Sequence, residues 1–188
     1  MLSDKDIEYM YKLLDVEMCD FDCGKVCSLK HRRRMPYCCV NKNAMPVLYR
    51  EEYKYLRSKT KMWRKHKPRK GESLQELVFS IYAKCKGYDK CDRRFRCIVC
   101  RNFPTYPYFN PGGKTIGLFF NRSLKGKCYL IDRPAVIRQE FIEANVKFWN
   151  FILPKMPEEW DFYIKFAGQM EKMVERHRRR FVVLTPEP

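Results

Sequence analysis

The feature that most constrains this chain is the grouping of its ten cysteines, nine of which fall into two short stretches. The first cysteine group is spaced C-x3-C-x3-C-x10-C-C and consists of Cys19, Cys23, Cys27, Cys38 and Cys39. The second cysteine group is spaced C-x5-C-x5-C-x2-C and consists of Cys85, Cys91, Cys97 and Cys100, while Cys128 stands alone. Short loops bring several sulfur atoms together at little cost in chain entropy. The spacing therefore predicts that thiol groups from both stretches converge on bound metal.

The start of the chain, MLSDKDIEYMYKLLDVE, alternates charged and apolar residues and contains no apolar signal-peptide core. No apolar run in the sequence approaches the length of a transmembrane helix, so no membrane span is expected. These features predict a cytoplasmic protein, in which thiol groups stay reduced and dense cysteines usually bind metal. Disulfide pairing is the less favoured alternative.

Sulfur-rich ligand sets favour zinc or an iron–sulfur cluster over calcium or magnesium. Four thiolates suit structural zinc and a 4Fe–4S cluster equally well, so the spacing leaves the choice of cofactor open. A zinc finger is not indicated because His31, His66 and His177 are isolated, and a zinc ribbon would need a second C-x2-C pair besides Cys97 and Cys100. The sequence also lacks a P-loop, a dinucleotide fingerprint and a recognisable Ser-His-Asp grouping.

An excess of basic residues gives the chain a formal net charge of +17, from 39 Lys and Arg against 22 Asp and Glu. This excess favours an acidic partner, which could be nucleic acid, an anionic membrane surface or an acidic protein. Alternatively, the basic residues balance the negative charge of thiolates or form a solvated surface without a partner. The basic runs HRRRMPY, RKHKPRK and ERHRRR could follow a phosphate backbone. A metal-stabilised nucleic-acid-binding module is therefore one function to test.

Residue patterns in the first half of the chain predict two helices separated by loops. Residues 3–17 fit a helix that Ser3 caps. Residues 46–49 fit an extended piece that opens into a helix near Arg50. The basic stretch 59–72 fits a surface loop, whereas 74–84 fits either a strand or a helix.

The second half predicts a small sheet and then helices. Residues 108–120 fit a strand, a turn and a strand, because Asn-Pro-Gly-Gly supplies turn residues. Residues 127–131 fit a further strand, and helices are predicted to start near Asp132 and Pro157.

Together these patterns predict an α+β fold with a loop-rich cysteine–metal core, a small antiparallel sheet and a C-terminal helical pair. The cysteine-bearing domain is expected to span residues 1–131, and residues 132–188 are expected to form a helical extension packed on it.

Three segments, CGKVCSLKHRRRMPYCC, VLYREEYKYL and CRNFP, follow one another in an order that resembles a known family. They are similar to the CxxCxxCC family of zinc- or iron-chelating proteins, which includes the flagellin lysine N-methylase. The sequence departs from that family in the basic insertion of its first cysteine group and at Arg96-Cys97, where the family has Arg-Pro.

The resemblance implies eight metal ligands: Cys23, Cys27, Cys38, Cys39, Cys85, Cys91, Cys100 and Cys128. Cys19 and Cys97 are additional to that set and are further candidates. The motif also places Arg101 beside a candidate ligand, where it could donate hydrogen bonds to a thiolate, pair with a carboxylate or be an ordinary surface cation. The aromatic residues that follow are expected to pack over the cysteines, with base stacking as the alternative: Phe103, Tyr106, Tyr108 and Phe109.

The expected function is therefore that of a cytoplasmic protein that carries zinc or iron–sulfur clusters on its two cysteine groups, in a structural or electron-transfer role. A protein lysine N-methyltransferase-like enzyme is the alternative implied by the resemblance. The nucleic-acid-binding module suggested by the charge is the second alternative.

Overall fold

The computed structural model combines helices with small antiparallel sheets, so the fold is α+β as the sequence predicts. The residues that it describes are 2–31, 34–40, 45–67, 80–177 and 181–187.

The chain forms two compact units. The first unit comprises Met1–Tyr11 and Gly24–Phe103, and the second unit comprises Lys12–Cys23 and Pro104–Pro188. This division falls after Phe103, whereas the sequence pattern placed a domain boundary after residue 131. Most of the cysteines belong to the first unit.

Helix α1 (Asp4–Leu13) begins with the cap that the sequence predicts. The Ser3 hydroxyl accepts a hydrogen bond from the Asp6 amide (3.2 Å), and the Asp6 carboxylate accepts one from the Ser3 amide (2.8 Å). This reciprocal pair forms a capping box. Ile7 and Met10, three residues apart on one face, are fully buried. The predicted capped helix is confirmed, although it ends earlier than the pattern suggested.

The sheet of the first unit has the strand order β1–β3–β2. Strands β1 (Val47–Tyr49) and β2 (Trp63–Lys65) both run antiparallel to β3 (Ser80–Cys85). Helix α3 (Arg50–Lys59) follows β1 directly, which confirms the predicted extended piece and helix. Strand β3 covers the described part of the stretch that fitted either a strand or a helix; residues 74–79 lie outside the described residues.

Strand β2 lies inside the basic stretch that was expected to be a surface loop, so that prediction is wrong for these residues. The cause is one large side chain: Trp63 is only 1% exposed, and its indole nitrogen donates a hydrogen bond to the Phe95 carbonyl (2.9 Å). A single buried tryptophan among cations carries no periodic signal, which is why the pattern missed it.

Short helical turns carry several of the cysteines. Helix α2 (Cys23–Lys30) contains Cys27 one turn after its first residue. A 3-10 turn spans Tyr37–Cys39 and holds the adjacent cysteines. Helix α4 (Ile98–Asn102) follows Cys97 and contains Cys100.

In the second unit, strands β4 (Thr105–Phe109) and β5 (Thr115–Phe120) pair antiparallel, which confirms the predicted strand, turn and strand. Strand β6 (Val183–Leu184) pairs with the other edge of β5. At the turn, Gly113 has a φ of +79°, and its carbonyl accepts a hydrogen bond from the Trp160 indole (3.1 Å). A Cβ atom on this residue would collide with the indole ring, so the position requires glycine.

The helices of the second unit are α5 (Tyr129–Asp132), α6 (Gln139–Ile152) and α7 (Pro157–Arg176). The strand predicted at residues 127–131 is wrong, because residues 129–132 form a helical turn in which the Asp132 amide donates a hydrogen bond to the Cys128 carbonyl (3.3 Å). The Asp132 carboxylate also accepts a hydrogen bond from the Gly126 amide (3.0 Å), which links this turn to the preceding loop. The helix predicted near residue 132 begins later, at the start of α6, while the helix predicted at Pro157 is confirmed.

Aromatic rings fill the core of the second unit. Phe119 lies 5.8 Å from Tyr106, 5.7 Å from Phe166 and 5.7 Å from Phe181, measured between ring centroids. Tyr108 contacts the same Phe181 ring at 5.7 Å. Tyr106 and Tyr108 therefore pack against aromatic residues of their own unit.

None of the helices in the described part of the chain combines the length and apolar character that a bilayer crossing requires.

Candidate metal centre

Four thiol groups of the first unit lie close enough to act on one another electrostatically. Burial raises the pKa of the Cys85 thiol, a hydrogen bond from the Gly87 backbone lowers it, and the neighbouring Cys100, Cys39 and Cys91 thiols raise it further. Gly87 has a φ of +95°, a conformation that favours glycine. We call Cys39, Cys85, Cys91 and Cys100 the four-thiol group. It joins one member of the first cysteine group to three members of the second.

Arg96 accompanies the four-thiol group. Burial by itself lowers the pKa of this guanidinium, but a hydrogen bond to Cys91 and the charges of Cys91, Cys100 and Cys39 raise it overall. A half-buried cation beside several thiols stabilises their ionised form. The sequence did not single out this residue, although its place in RRFRC, between two candidate ligands, was visible.

Cys97 is more deeply buried than the members of the four-thiol group, and its sulfur touches one of them. The Cys97 thiol donates to the Cys100 sulfur at 3.4 Å, and Cys97 is completely buried. Burial raises the pKa of Cys97 well above its usual range, and the hydrogen bond and charge of Cys100 and the charge of Glu52 raise it further. Cys97 packs in the apolar core of the first unit with Leu48 and Trp63.

The buried Glu52 carboxyl holds the start of α4 in place. Its Oε1 atom accepts hydrogen bonds from the Ile98 amide (2.7 Å) and the Tyr11 hydroxyl (2.9 Å). Burial raises the pKa of Glu52 to about 7, against the lowering effect of these two hydrogen bonds. The sequence carried a signal for this burial that was missed: Glu52 precedes the buried Leu56 by four residues and so shares its helix face.

Arg101 stabilises the loop that precedes α4. Its Nε and Nη2 atoms donate to the backbone carbonyls of Arg96 (3.1 Å) and Arg94 (2.8 Å). Its guanidinium carbon lies 4.8 Å from the centroid of the Tyr11 ring, within the range of a cation–π contact. The sequence did not predict these backbone and aromatic contacts. Its interpretation of Arg101 as the partner of a carboxylate comes nearest, since the Arg101 charge lowers the pKa of the buried Glu52 carboxyl.

All ten cysteines lie in the described residues, and none of them forms a disulfide. The buried Cys19 thiol donates to the Phe21 carbonyl at 3.2 Å, and Cys128, also buried, precedes α5; both belong to the second unit. Cys38 neighbours Cys39 in the same 3-10 turn, and Cys23 and Cys27 lie on α2. Among the ten predicted ligands, electrostatic interactions link the members of the four-thiol group, and a hydrogen bond links Cys97 to Cys100.

The four thiols of the four-thiol group do not have the arrangement of the ligands around a bound metal ion. Within the ranges that the structure describes, no three or more His, Cys, Asp or Glu side chains are arranged so that they could hold a metal ion. The thiols interact through charge without meeting at one point, so metal binding would require their side chains to move inward.

The first unit also contains a cationic cleft of about 420 Å³, lined by Tyr53, Arg57, Lys61, Arg64, Lys65 and Lys86. Strand pairing places Arg64 directly opposite Lys84 on the neighbouring strand, an arrangement of like charges that destabilises a sheet. The cleft includes the beginning of the basic run RKHKPRK, whose last three residues lie outside the described residues. Parts of the other two basic runs, residues 32–33 and 178–180, also lie outside them.

Comparison with protein-family models finds no match for this chain, and comparisons with curated proteins and with solved structures find no significant similarity. The resemblance to the CxxCxxCC family therefore stays a prediction from the quoted motifs.

Proposed function

We propose that the protein binds metal, either zinc or an iron–sulfur cluster, on Cys39, Cys85, Cys91 and Cys100. The observation that supports this proposal most strongly is that three cysteines raise the pKa of Cys85, one of them more than 40 residues away in the chain. Four sulfur donors match the ligand sets of structural zinc and of 4Fe–4S clusters. A bound zinc would cross-link the chain, and a bound iron–sulfur cluster would add the capacity to carry an electron.

The electrostatics of the four-thiol group fit a cation. The thiols raise the pKa of Cys85 because their negative charges oppose one another in a partly buried place. A metal ion reverses this effect, since it favours the thiolate form and releases protons on binding. Arg96 supplies one positive charge already, and its hydrogen bond to Cys91 would help to hold that sulfur in a metal-bound state.

The positions of the four cysteines support a structural role for the proposed metal. They come from the 3-10 turn at residues 37–39, the end of β3, the loop after it and helix α4. These segments are short, and short segments gain little stability from their own hydrogen bonds. A metal bound to all four would fix their relative positions.

Anaerobic purification followed by analysis of zinc, iron and acid-labile sulfide tests this proposal. We expect close to stoichiometric zinc without sulfide, or iron with matching sulfide and a broad visible absorption. Cys85→Ser should lose the metal, whereas the matched variant Cys19→Ser should keep it, because the Cys19 thiol is engaged with a backbone carbonyl in the second unit. A wild-type protein that is metal-free after anaerobic purification and takes up neither zinc nor iron would contradict the proposal.

The cationic cleft favours a second candidate function, the binding of single-stranded nucleic acid. Five cations line the cleft together with the half-buried Tyr53 ring, a combination that suits phosphates and a stacked base. Fluorescence anisotropy with a labelled single-stranded RNA should show binding that weakens steeply with salt. The charge-reversal pair Lys61→Glu and Lys86→Glu should abolish it, while Lys5→Glu with Lys54→Glu, an equal change of charge outside the cleft, should weaken it only slightly. Equal losses in both pairs would exclude the cleft as the site.

The methyltransferase alternative stays a prediction from the family resemblance alone.

A further inference from the structure

Cys97 and Cys100 have the geometry of a pair that can be oxidised. They lie on one helical turn, which the hydrogen bond from the Arg101 amide to the Cys97 carbonyl closes at 3.0 Å. Residues three apart on such a turn have Cα atoms roughly 5 Å apart, from the rise and radius of the helix. Disulfides form at Cα separations of about 4.4–6.8 Å. The two sulfur atoms are already 3.4 Å apart, so a small rotation about each side chain would bring them to bonding distance.

The two sulfurs differ in access. Cys97 is completely buried, whereas Cys100 is half-buried and is therefore the sulfur that a small molecule reaches first. The start of the turn between them is fixed by Glu52, whose carboxyl group accepts a hydrogen bond from the Ile98 amide. An accessible sulfur with a buried partner in contact is the arrangement that a two-step exchange requires.

We propose that Cys97 and Cys100 form a dithiol that exchanges with a low-molecular-weight disulfide such as glutathione disulfide, and that its oxidation withdraws Cys100 from the four-thiol group. The second part of this statement rests on the proposed metal-binding function, and the first part does not.

The Cys100 thiolate attacks one sulfur of glutathione disulfide, which forms a mixed disulfide and releases one glutathione as its thiolate. The Cys97 thiol then attacks the Cys100 sulfur and expels the second glutathione, whose sulfur takes up the Cys97 proton. The protein has then lost two electrons and two protons, and one glutathione disulfide has become two glutathione thiols.

Cys97 is suited to this role because it is completely buried and its sulfur is in contact with that of Cys100. The thiols that act on Cys85 are Cys100, Cys39 and Cys91, and the same three act on Arg96. Cys97 instead interacts with Cys100 and Glu52. Cys100 is thus shared between the four-thiol group and the dithiol, so a disulfide to Cys97 would remove one of the four proposed ligands.

Redox titration of the full-length protein tests the exchange. The reduced protein, stripped of metal with a chelator, is equilibrated anaerobically with mixtures of reduced and oxidised glutathione, acid-quenched, denatured and alkylated. Trypsin cuts after Arg96 and after Arg101, so one five-residue peptide carries both cysteines and reports their state by mass. The alkylated peptide 128–138, which carries Cys128, serves as the labelling reference.

We expect the 97–101 peptide to pass from doubly alkylated to an internally cyclised form, two hydrogens lighter than the reduced peptide, as the oxidised fraction of glutathione rises. In Cys97→Ser and Cys97→Ala, checked for folding by circular dichroism, the same peptide should instead stop at a glutathione adduct on Cys100. A wild-type peptide that stays doubly alkylated, or that stops at the same adduct as the variants, would overturn the exchange.

Repeating the titration after loading with zinc tests the link to metal. We expect zinc to shift the transition towards more oxidising mixtures, and oxidation to release zinc from the wild type but not from Cys97→Ser. A wild type that cyclises and still retains its zinc would overturn the withdrawal of Cys100. A wild type that cyclises but never binds zinc or iron would refute the proposed function and leave the exchange supported.

Discussion

The two units of the molecule bury different kinds of side chain. The second unit is filled by large rings: Phe119, Phe120, Phe141 and Phe148 are all at most 2% exposed, and further aromatic residues pack around them. The apolar core of the first unit is built around Leu48, Leu56, Met62, Trp63, Ala83 and Cys97. Thiols, the carboxyl of Glu52 and the guanidinium of Arg96 lie beside it.

This difference determines how each unit should respond to change. Apolar packing is not directional and depends mainly on buried area, so the aromatic core of the second unit should depend little on metal or redox state. Buried polar groups are stable only while each has its partner, so the first unit should respond to pH, metal and redox state. The predictions below test this contrast.

The largest effect should come from metal. Structural zinc supplies about 10–16 kcal/mol of apparent folding free energy in zinc-finger peptides. We therefore expect chelation to lower the opening free energies of β1–β3 by roughly 5 kcal/mol or more, and those of β4 and β5 by less than about 1 kcal/mol. Hydrogen exchange followed by mass spectrometry measures both regions in one sample. Equal loss of protection in the two units would contradict the contrast.

The next largest effect should come from the aromatic core. Phe148 is fully buried and its ring lies 4.8 Å from that of Trp149. Phe148→Ala should lower the free energy of unfolding by about 3–5 kcal/mol, because it removes a ring and leaves a cavity. Urea titration measures this loss, and metal content should not change. Ile164→Ala, at a site that is 40% exposed, is the control and should cost less than about 1 kcal/mol.

A third effect should come from the buried carboxyl of Glu52, which Tyr11, Arg101 and Cys97 surround. Its pKa is raised in the folded state to about 7, so the folded protein holds this proton where the unfolded chain loses it. The stabilising contribution is complete below the unfolded pKa and is lost as the pH rises to about 7, by roughly 3 kcal/mol.

Urea titrations of the metal-free protein across this pH window measure the loss. Glu52→Gln keeps an oxygen for Tyr11 and the Ile98 amide but has no proton to lose, so it should flatten the pH dependence of the free energy of unfolding. An unchanged slope in this variant would show that another group is responsible.

The smallest effect concerns the cationic cleft. Lys84→Glu would convert the like-charged pair with Arg64 into an opposite-charged pair, which should stabilise the protein by about 0.2–1 kcal/mol. The gain should shrink in high salt because the pair is screened. Lys84→Gln, which only removes the repulsion, should show about half the gain. A gain that is independent of salt would point to packing as the cause.

The fold could be predicted from the sequence where one periodic signal dominates. The capped start of α1, the passage from β1 into α3, the β4–β5 hairpin and the start of α7 at Pro157 all follow from local patterns. The predictions failed where the local pattern was weak. The buried Trp63 turns a basic stretch into a strand, and residues 127–131 are too few for their pattern to separate a strand from a short helix.

The candidate metal site was likewise only partly predictable from the sequence. Spacing predicted that cysteines from both groups would approach one another, and Cys39 does lie near the second group. Spacing could not tell which of the ten would do so, because it does not distinguish adjacent cysteines such as Cys38 and Cys39. It also could not find Glu52, whose role depends on its contacts with α1 and α4.

The central claim is that Cys39, Cys85, Cys91 and Cys100 bind one metal site. The most direct test is the alkylation rate of each cysteine, measured by mass-spectrometric peptide mapping of the native protein with and without zinc or reconstituted iron and sulfide. The account predicts that metal slows alkylation of these four at least tenfold, and leaves Cys19 and Cys128 unchanged. Protection confined to Cys23, Cys27 and Cys128, or protection of no cysteine at all, would contradict it.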